Sequence, residues 1–474
     1  MKRFIILILS SVVLGACSNF LEETSQDLIV PKSVKDYQEF LFGEGYLRDE
    51  TSIHTWLDVM TDDVKENISG WSFGGDTRTN AFGYYTWQKS PEETISGGLN
   101  NDNAWATYYH SILICNVVLD ASGDIVGSEK EIGVLKAECH ALRAWSYFML
   151  VNLYGEPYEK KSALNSLGVP LNEVVGMEDR HFTRESVAVI YEQIENDLTK
   201  AIEYFTTYDS GKSIFRWNLP ATYLLASRVS LYKKDYDKVI EYANKVIMTN
   251  PQLYDLSTMS SDDYFINSKN PEVLFTYGNY LISYYANLAK CNFPASNDLI
   301  ASLGSNDYRM TAFLKKRSSY YTANKSNESG LTGVYGFALR TAEAYLNRAE
   351  AYAEIGETDK AMADLKSLRI NRLKVYKDLV AASKEEAIDN VRAERRRELC
   401  FEYHRWFDLR RWGRPRIEHT FTRDIKKPET VERYVLEEND KAYTLPLPRS
   451  VVESDPSIED IIRPDRINLN ATNE

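Results

Sequence analysis

Apolar positions along this chain recur mainly at helical spacing. Between Trp105 and Leu119 they fall at Tyr108, Ile112, Cys115 and Leu119, steps of four, three and four that define one face of a helix. A second helix is predicted from about Lys130 to Leu153, through Leu135, Leu142, Trp145, Phe148 and Leu150. Gly155 and Pro157 supply its stop signals. Thr183-x-x-Ser186 opens a third, whose face carries Val187, Ile190, Tyr191, Ile194 and Leu198 and which ends near Phe205. Asn218-Leu219-Pro220 then starts a pair, Ala221–Tyr232 and Tyr236–Thr249, joined by Lys233-Lys234-Asp235. Another pair is expected at Thr341–Ile355 and Thr358–Asn371, joined by Gly356-Glu357. Strand-like alternation is scarce.

The two pairs share a pattern. Ala-Ser-Arg-Val-Ser-Leu-Tyr at 226–232 echoes Asn-Arg-Ala-Glu-Ala-Tyr at 347–352, and Asp237-Lys238-Val239 echoes Asp359-Lys360-Ala361. Small residues inside and an aromatic near the end resemble tetratricopeptide units, in which neighbouring hairpins bury one another's faces. The copies are not tandem, so the chain reads as scattered repeat units with long insertions. Residues 60–104 form one insertion, with Trp71, Phe73, Phe82, Tyr84, Tyr85 and Trp87 among Gly, Asn, Asp and Thr. Residues 255–335 form another, around Tyr277, Tyr280, Tyr284, Tyr285, Tyr320 and Tyr321. Long loops are usually functional or disordered, and this aromatic content argues against disorder.

Composition narrows the function. The formal charge is −13, or −15 once the two positive charges of Lys2 and Arg3 are removed, which disfavours nucleic acid as a partner. Lys2, Arg3 and the apolar run Phe4–Leu14 describe a secretion signal, too short to span a membrane. Leu14-Gly15-Ala16-Cys17 resembles the lipobox of bacterial lipoproteins, which implies a signal at 1–16 and acylation of Cys17. Two or more acyl chains there give a stable anchor. Ser18 stands where an inner-membrane retention signal would place Asp, which favours the outer membrane. Cys115, Cys139, Cys291 and Cys400 have no metal-site spacing and read as buried small apolar residues, with a Cys115–Cys139 bridge as the alternative. Tyr, at 32 residues, outnumbers Phe and Trp together (18 and 8), which suits half-wet surfaces and equally a Tyr-rich helical core.

Several segments, in order, resemble the SusD/RagB family of nutrient-binding lipoproteins. They are Cys17-Ser18-Asn19-Phe20-Leu21-Glu22; Trp105-Ala106-Thr107-Tyr108-Tyr109 with Ile112 and Asn116; and Ala137-Glu138-Cys139-His140-Ala141-Leu142-Arg143-Ala144 running to Leu153-Tyr154-Gly155 and Pro157. Arg340-Thr341-Ala342-Glu343-Ala344-Tyr345-Leu346 follows, with Ala349-Glu350-Ala351. The most specific is Glu394-Arg395-Arg396-Arg397-Glu398-Leu399 with Glu402, Arg405, Asp408-Leu409 and Arg411. The resemblance implies a mostly α fold, with tetratricopeptide-like hairpins beside an irregular, loop-rich ligand-binding half. It implies a SusC-type TonB-dependent barrel as partner, and oligosaccharide or, in a minority of members, peptide as ligand. On this reading 1–16 is the signal, 17–255 an N-terminal region, and 256–474 a C-terminal region whose last repeat unit spans 338–373. The C-terminus departs from the family pattern: Leu447-Pro448-Arg449-Ser450-Val451-Val452 and Asp455-Pro456 stand where Pro-x-x-Glu-Ile and Asn-Pro are usual.

Candidate chemistry is that of binding. Glu394, Glu402 and Asp408 each precede an arginine by three positions (Arg397, Arg405, Arg411), which reads as an internally paired helix. Arg410, Arg411 and Arg414 are left as a partner surface. No G-x-S-x-G, H-E-x-x-H or phosphate-cradling loop occurs. A glycosidase would need two carboxylates across a cleft, and Asp62-Asp63 and Glu92-Glu93 qualify only by type. A calcium site at Asp62, Asp63 and Asp76 lacks the required loop pattern, so neither metal nor cofactor is expected. Sugar rings stack on Trp or Tyr while their hydroxyls take Asp, Asn and Arg. The family resemblance assigns such a platform to the loops before the Trp-x-x-x-Tyr helix. The candidates are therefore Trp71 and Trp87, with Tyr84, Tyr85, Asp63, Arg78 and Asn80, and Tyr280 in a second stretch; for each aromatic, local packing is the competing reading.

Overall fold

A computed structural model describes residues 31–46, 56–69, 77–100, 103–176, 181–209, 211, 213–277, 291–326, 337–427 and 429–470. Cys17, Trp71 and Tyr280 lie outside them. The fold is mostly helical. The main helices are α1 (Val34–Phe40), α2 (Ala104–Ala121), α3 (Glu129–Tyr154), α4 (Val187–Tyr208), α5 (Leu219–Tyr232), α6 (Tyr236–Thr249), α7 (Thr341–Glu354), α8 (Thr358–Arg369), α9 (Lys384–Leu399) and α10 (Arg405–Arg411). Among the described residues, three antiparallel two-stranded sheets pair β1 (Val273–Tyr277) with β4 (Phe337–Arg340), β2 (Leu314–Lys316) with β3 (Tyr321–Ala323), and β5 (Ile417–Thr422) with β6 (Val431–Leu436).

The helices start where capping chemistry puts them. Ser128 and Glu131 form a reciprocal capping box on α3, and Ser186 caps α4. Asn218 accepts from the Ala221 amide, with Pro220 in the first turn of α5. From Ala137 onward α3 is buried on every side, which makes it the central helix. Its C-terminus is held by Arg410, which donates to the carbonyls of Asn152 and Gly155, a cation at the negative end of the helix dipole. Burial brings that guanidinium down to about 10. Arg410 and Arg411, expected on a partner surface, are thus engaged within the fold: Arg411, half-buried, is held by Glu350 and Asp408.

Helices α2 to α8 pack as one continuous series, each against the next. The two repeat-like hairpins, α5–α6 and α7–α8, are far apart in sequence yet adjacent in space, because α7 packs on α6 as well as α8. A bidentate pair from Arg228 to Glu343 (2.6 Å twice) locks that join, and Asn347 donates to Ser227 beside it. The insertion between them leaves and returns through β1 and β4. All four described cysteines are free and buried.

A buried ionic network sits where α9 meets the strands. Glu394 pairs with Arg397, and Asp408 with Arg411, one turn on, as the spacing predicts. Glu402 does not meet Arg405; it turns inward to Arg340 and Lys325, while Arg405 reaches Asp62. Glu398 accepts from Arg309 (2.9 Å), Arg340 (2.7 Å) and Arg372 (3.0 Å), all fully buried. Left-handed backbone at Phe401 (φ 57°) and Tyr403 (φ 62°) turns the chain so that Glu402 enters this network.

The network makes stability acid-sensitive. Burial pushes the Glu398 and Glu394 carboxyls up, but Arg372, Arg340 and Arg309 at the first, and Arg309, Arg397 and Arg369 at the second, outweigh it and hold both well below the usual range. At Glu350 burial is likewise outweighed, by Arg411 foremost, and the carboxyl comes down to about 2. Carboxyls depressed on folding stabilise fully above the unfolded value of about 4.3 and lose that contribution as pH falls through the folded value. Urea midpoints are therefore expected to fall progressively from pH 7 towards pH 2, first through the buried imidazole of His419, which burial holds at about 4, and below about pH 4 through these carboxyls. A midpoint unchanged down to pH 3 would contradict the assignment.

Candidate functional site

The 77–100 segment turns its aromatic side chains inward. Trp87 is fully buried, stacked on His419 with ring centroids 4.4 Å apart, and its Nε1 donates to Met60 O at 2.9 Å. Tyr85 covers the other part of the layer, 4.2 Å from His419 and 4.7 Å from Phe293. Tyr84 lies flat on Trp56 at 5.0 Å. His419 sits between the carbonyls of Tyr85 and Thr61 (Nδ1 2.7 Å, Nε2 3.1 Å), and burial lowers its imidazole to about 4. The layer needs Trp87 in a left-handed backbone conformation (φ 52°), which places its ring in the core.

The polar candidates are similarly engaged. Arg78 donates to Glu66 Oε1 (2.9 Å) and Thr422 O (2.6 Å) and lies over the Phe421 ring. Asp63 Oδ1 accepts from Arg396 Nε at 2.6 Å, and its neighbour Asp62 takes Arg405 through both oxygens. Burial is the largest influence on Asp63 and raises its carboxyl; at Asp62 burial is outweighed by Arg405 and Arg396 and the carboxyl is lowered. Asn80 is half-buried, and its carbonyl accepts from Asn100. As placed, Trp87, Tyr84, Tyr85, Asp63 and Arg78 are buried in packing and internal hydrogen bonds. Asp62 and Asp63, as arginine partners, are not a carboxylate pair across a cleft. Trp71 and Tyr280, the remaining aromatic candidates, lie outside the described residues, as does Asp76 of the calcium reading. Among the described residues no three His, Cys, Asp or Glu side chains group as metal ligands.

The chain on either side of Trp71 is drawn to the segment that follows Tyr280. Residues 63–67 run antiparallel to 292–296, through Ser296 N to Asp63 O (2.7 Å), Lys65 N to Pro294 O (3.0 Å) and Asn67 N to Asn292 O (2.8 Å). Asn67 Nδ2 donates to Cys291 O, Asn292 Nδ2 to Asn67 O, and Thr77 Oγ1 to Asn292 Oδ1 (2.7 Å). Ala295 N donates to Tyr321 O, which joins β3 to the same cluster. The two aromatic insertions, distant in sequence, are thus fastened to each other at their described ends.

Three surface cavities stand out among the described residues. One of about 510 Å³ is walled by Asp262, Asp263, Tyr264, Lys315, Lys316 and Tyr321. A second, of about 280 Å³, lies between Trp105, Tyr109 and Phe182 and the Val451–Ile458 segment. A third, of about 450 Å³, lies between residues 89–99 and 446–463. The last two are closed by the short helix Arg449–Ser454, within the segment whose sequence departs from the family pattern. That departure was the one signal in the sequence that this segment is distinctive.

A model described as the SusD family matches residues 202–461, more than half of the chain. The chain belongs to the SusD family. A second model, described as starch-binding associating with outer membrane, matches residues 50–231. A SusD superfamily protein from Bacteroides thetaiotaomicron shares 24% identity, covering 90% of this chain and 99% of its own, at a TM-score of 0.72. A SusD-like carbohydrate binding protein from Bacteroides vulgatus shares 18%, covering 90% and 97%, at 0.68. A SusD superfamily protein from the same species shares 20%, covering 90% and 98%, at 0.71. Likeness at these identities shows the SusD fold. Comparison with curated proteins finds no match. The SusD-family helices described here include none long and apolar enough to cross a membrane.

Proposed function

We propose that this SusD-family chain is a glycan-binding lipoprotein of the bacterial outer membrane. It is anchored through Cys17, faces the exterior, and delivers oligo- or polysaccharide to a SusC-type TonB-dependent barrel. The match of residues 50–231 to the starch-binding, outer-membrane description carries the reading, and the carbohydrate-binding relative of like fold supports it. Trp71 and Tyr280 are the proposed stacking residues, since their flanking segments are fastened together through Asn67, Thr77 and Asn292. Binding without catalysis is proposed, with neither metal nor cofactor; of the carboxylate pairs offered for hydrolysis, Asp63 and Asp62 are held by Arg396 and Arg405, while Glu92 accepts from the Arg449 amide.

The anchor and the partner are tested together. Cys17→Ala is expected to shift the protein from the membrane fraction to a soluble one. Affinity-tagged wild type, solubilised in mild detergent, is expected to bring down a large β-barrel protein. Membrane retention of Cys17→Ala, or purification of the wild type without a barrel, would count against those two parts separately.

A further inference from the structure

The cavity between residues 89–99 and 446–463 contains a buried cation short of acceptors. Arg463 lines it, is 3% exposed, and gives one hydrogen bond, from Nη2 to Ala442 O at 3.1 Å. Its Nε and Nη1 are buried with no hydrogen-bond partner. Buried polar groups are nearly always satisfied, so such a group calls for an explanation. Burial, and then the adjacent Arg466, lower the guanidinium to about 10, so its surroundings do not fully compensate the charge. Oxygen acceptors brought by a ligand would.

The rest of the wall says which ligand. Lys89, Arg449 and Arg463 face Glu92, Glu93 and Asp460, three charges of each sign. A carboxylate or phosphate entering this set would unbalance it. A neutral molecule that both donates and accepts would not, and hydroxyl groups do both. Asp460 is pre-oriented, since its Oδ1 accepts from the amides of Leu447 (3.2 Å) and Ile461 (2.8 Å). Leu99, Leu447, Val452 and Ile461 supply aliphatic surface for the C–H face of a ring. The volume, about 450 Å³, is within the range of small-ligand sites.

We infer that this cavity is a sugar subsite for an uncharged, hydroxyl-rich residue of the glycan, with Arg463 donating from Nε and Nη1 to its oxygens. The inference rests on the glycan reading above and adds a place and a ligand class to it. Two variants separate binding from folding. Leu99→Trp fills the cavity from a half-exposed position, and Arg463→Gln removes the under-partnered charge.

The test is calorimetry of the mature protein against neutral and uronate-containing polysaccharides, with a thermal melt of each variant. Both variants are expected to bind the neutral glycan at least tenfold more weakly. Leu99→Trp should melt as wild type does, and Arg463→Gln at the same temperature or higher, because it relieves an uncompensated buried charge. A purely structural arginine would instead lower the melt and leave Leu99→Trp binding normally. Wild-type binding that both variants retain would overturn the subsite and leave the glycan reading standing. Preference for the uronate glycans would overturn the neutral class. Absence of all glycan binding by the wild type would remove the reading and the subsite with it.

Discussion

Glu398→Gln is expected to destabilise the protein by about 3–5 kcal/mol, seen as a large fall in the urea midpoint. The carboxylate accepts from three guanidiniums, those of Arg309, Arg340 and Arg372, and is fully buried. The backbone carbonyl of the same residue takes Arg340 Nη2 (2.8 Å) and Lys325 Nζ (2.7 Å). An amide keeps the shape but removes the charge and turns a donor towards donors. The remaining acids, Glu272, Glu394, Glu402 and Asp307, already hold the same cations. Breaking one member of a buried set leaves the others uncompensated, which is where the cost arises. The exposed pair Lys245–Glu241 is the control: Lys245→Ala should cost below about 1 kcal/mol. A Glu398→Gln effect no larger than that control would mean that solvent reaches the network.

Trp87→Ala is the second large effect, and it separates two roles that the sequence leaves together. The ring is fully buried on His419, and its N–H satisfies the Met60 carbonyl. Removing it should cost about 3–5 kcal/mol through the cavity left behind, with the orphaned carbonyl adding to it. Whatever fraction folds should bind ligand as wild type does. Trp71→Ala is expected to behave in the opposite way, with an unchanged melt and lost glycan binding. Were Trp87→Ala to fold normally and lose binding, Trp87 would face the ligand and the described packing would not be the binding-competent one.

The helices were legible because periodicity and capping are local. Ser186, Asn218, Gly155 and Gly356 mark ends that lie within a residue or two of those observed. The kinship of the two repeat-like hairpins was legible too, but not that they touch; Arg228 and Glu343 are 115 positions apart. The aromatic loop was misleading for the same reason. Trp87 beside Tyr84 and Tyr85 among polar residues reads as a platform, and Trp56, Phe293 and His419, all outside the segment, pack it as a core. Glu402 followed by Arg405 reads as a helical pair, yet the left-handed turn at Phe401 and Tyr403 sends each to a partner with no sequence relation to it. Arg463 carried no signal at all. An arginine in a polar C-terminal stretch reads as solvated, and its burial depends on how that stretch folds back over Ala442.

Glycan binding is the centre of this account, and affinity electrophoresis of the mature protein through gels containing single polysaccharides tests it most directly, with peptides competed in parallel. The account predicts retardation by one class of neutral polysaccharide, relieved by its free oligosaccharide and unaffected by peptides. Migration unchanged by every polysaccharide, with calorimetric binding to peptides alone, would contradict it.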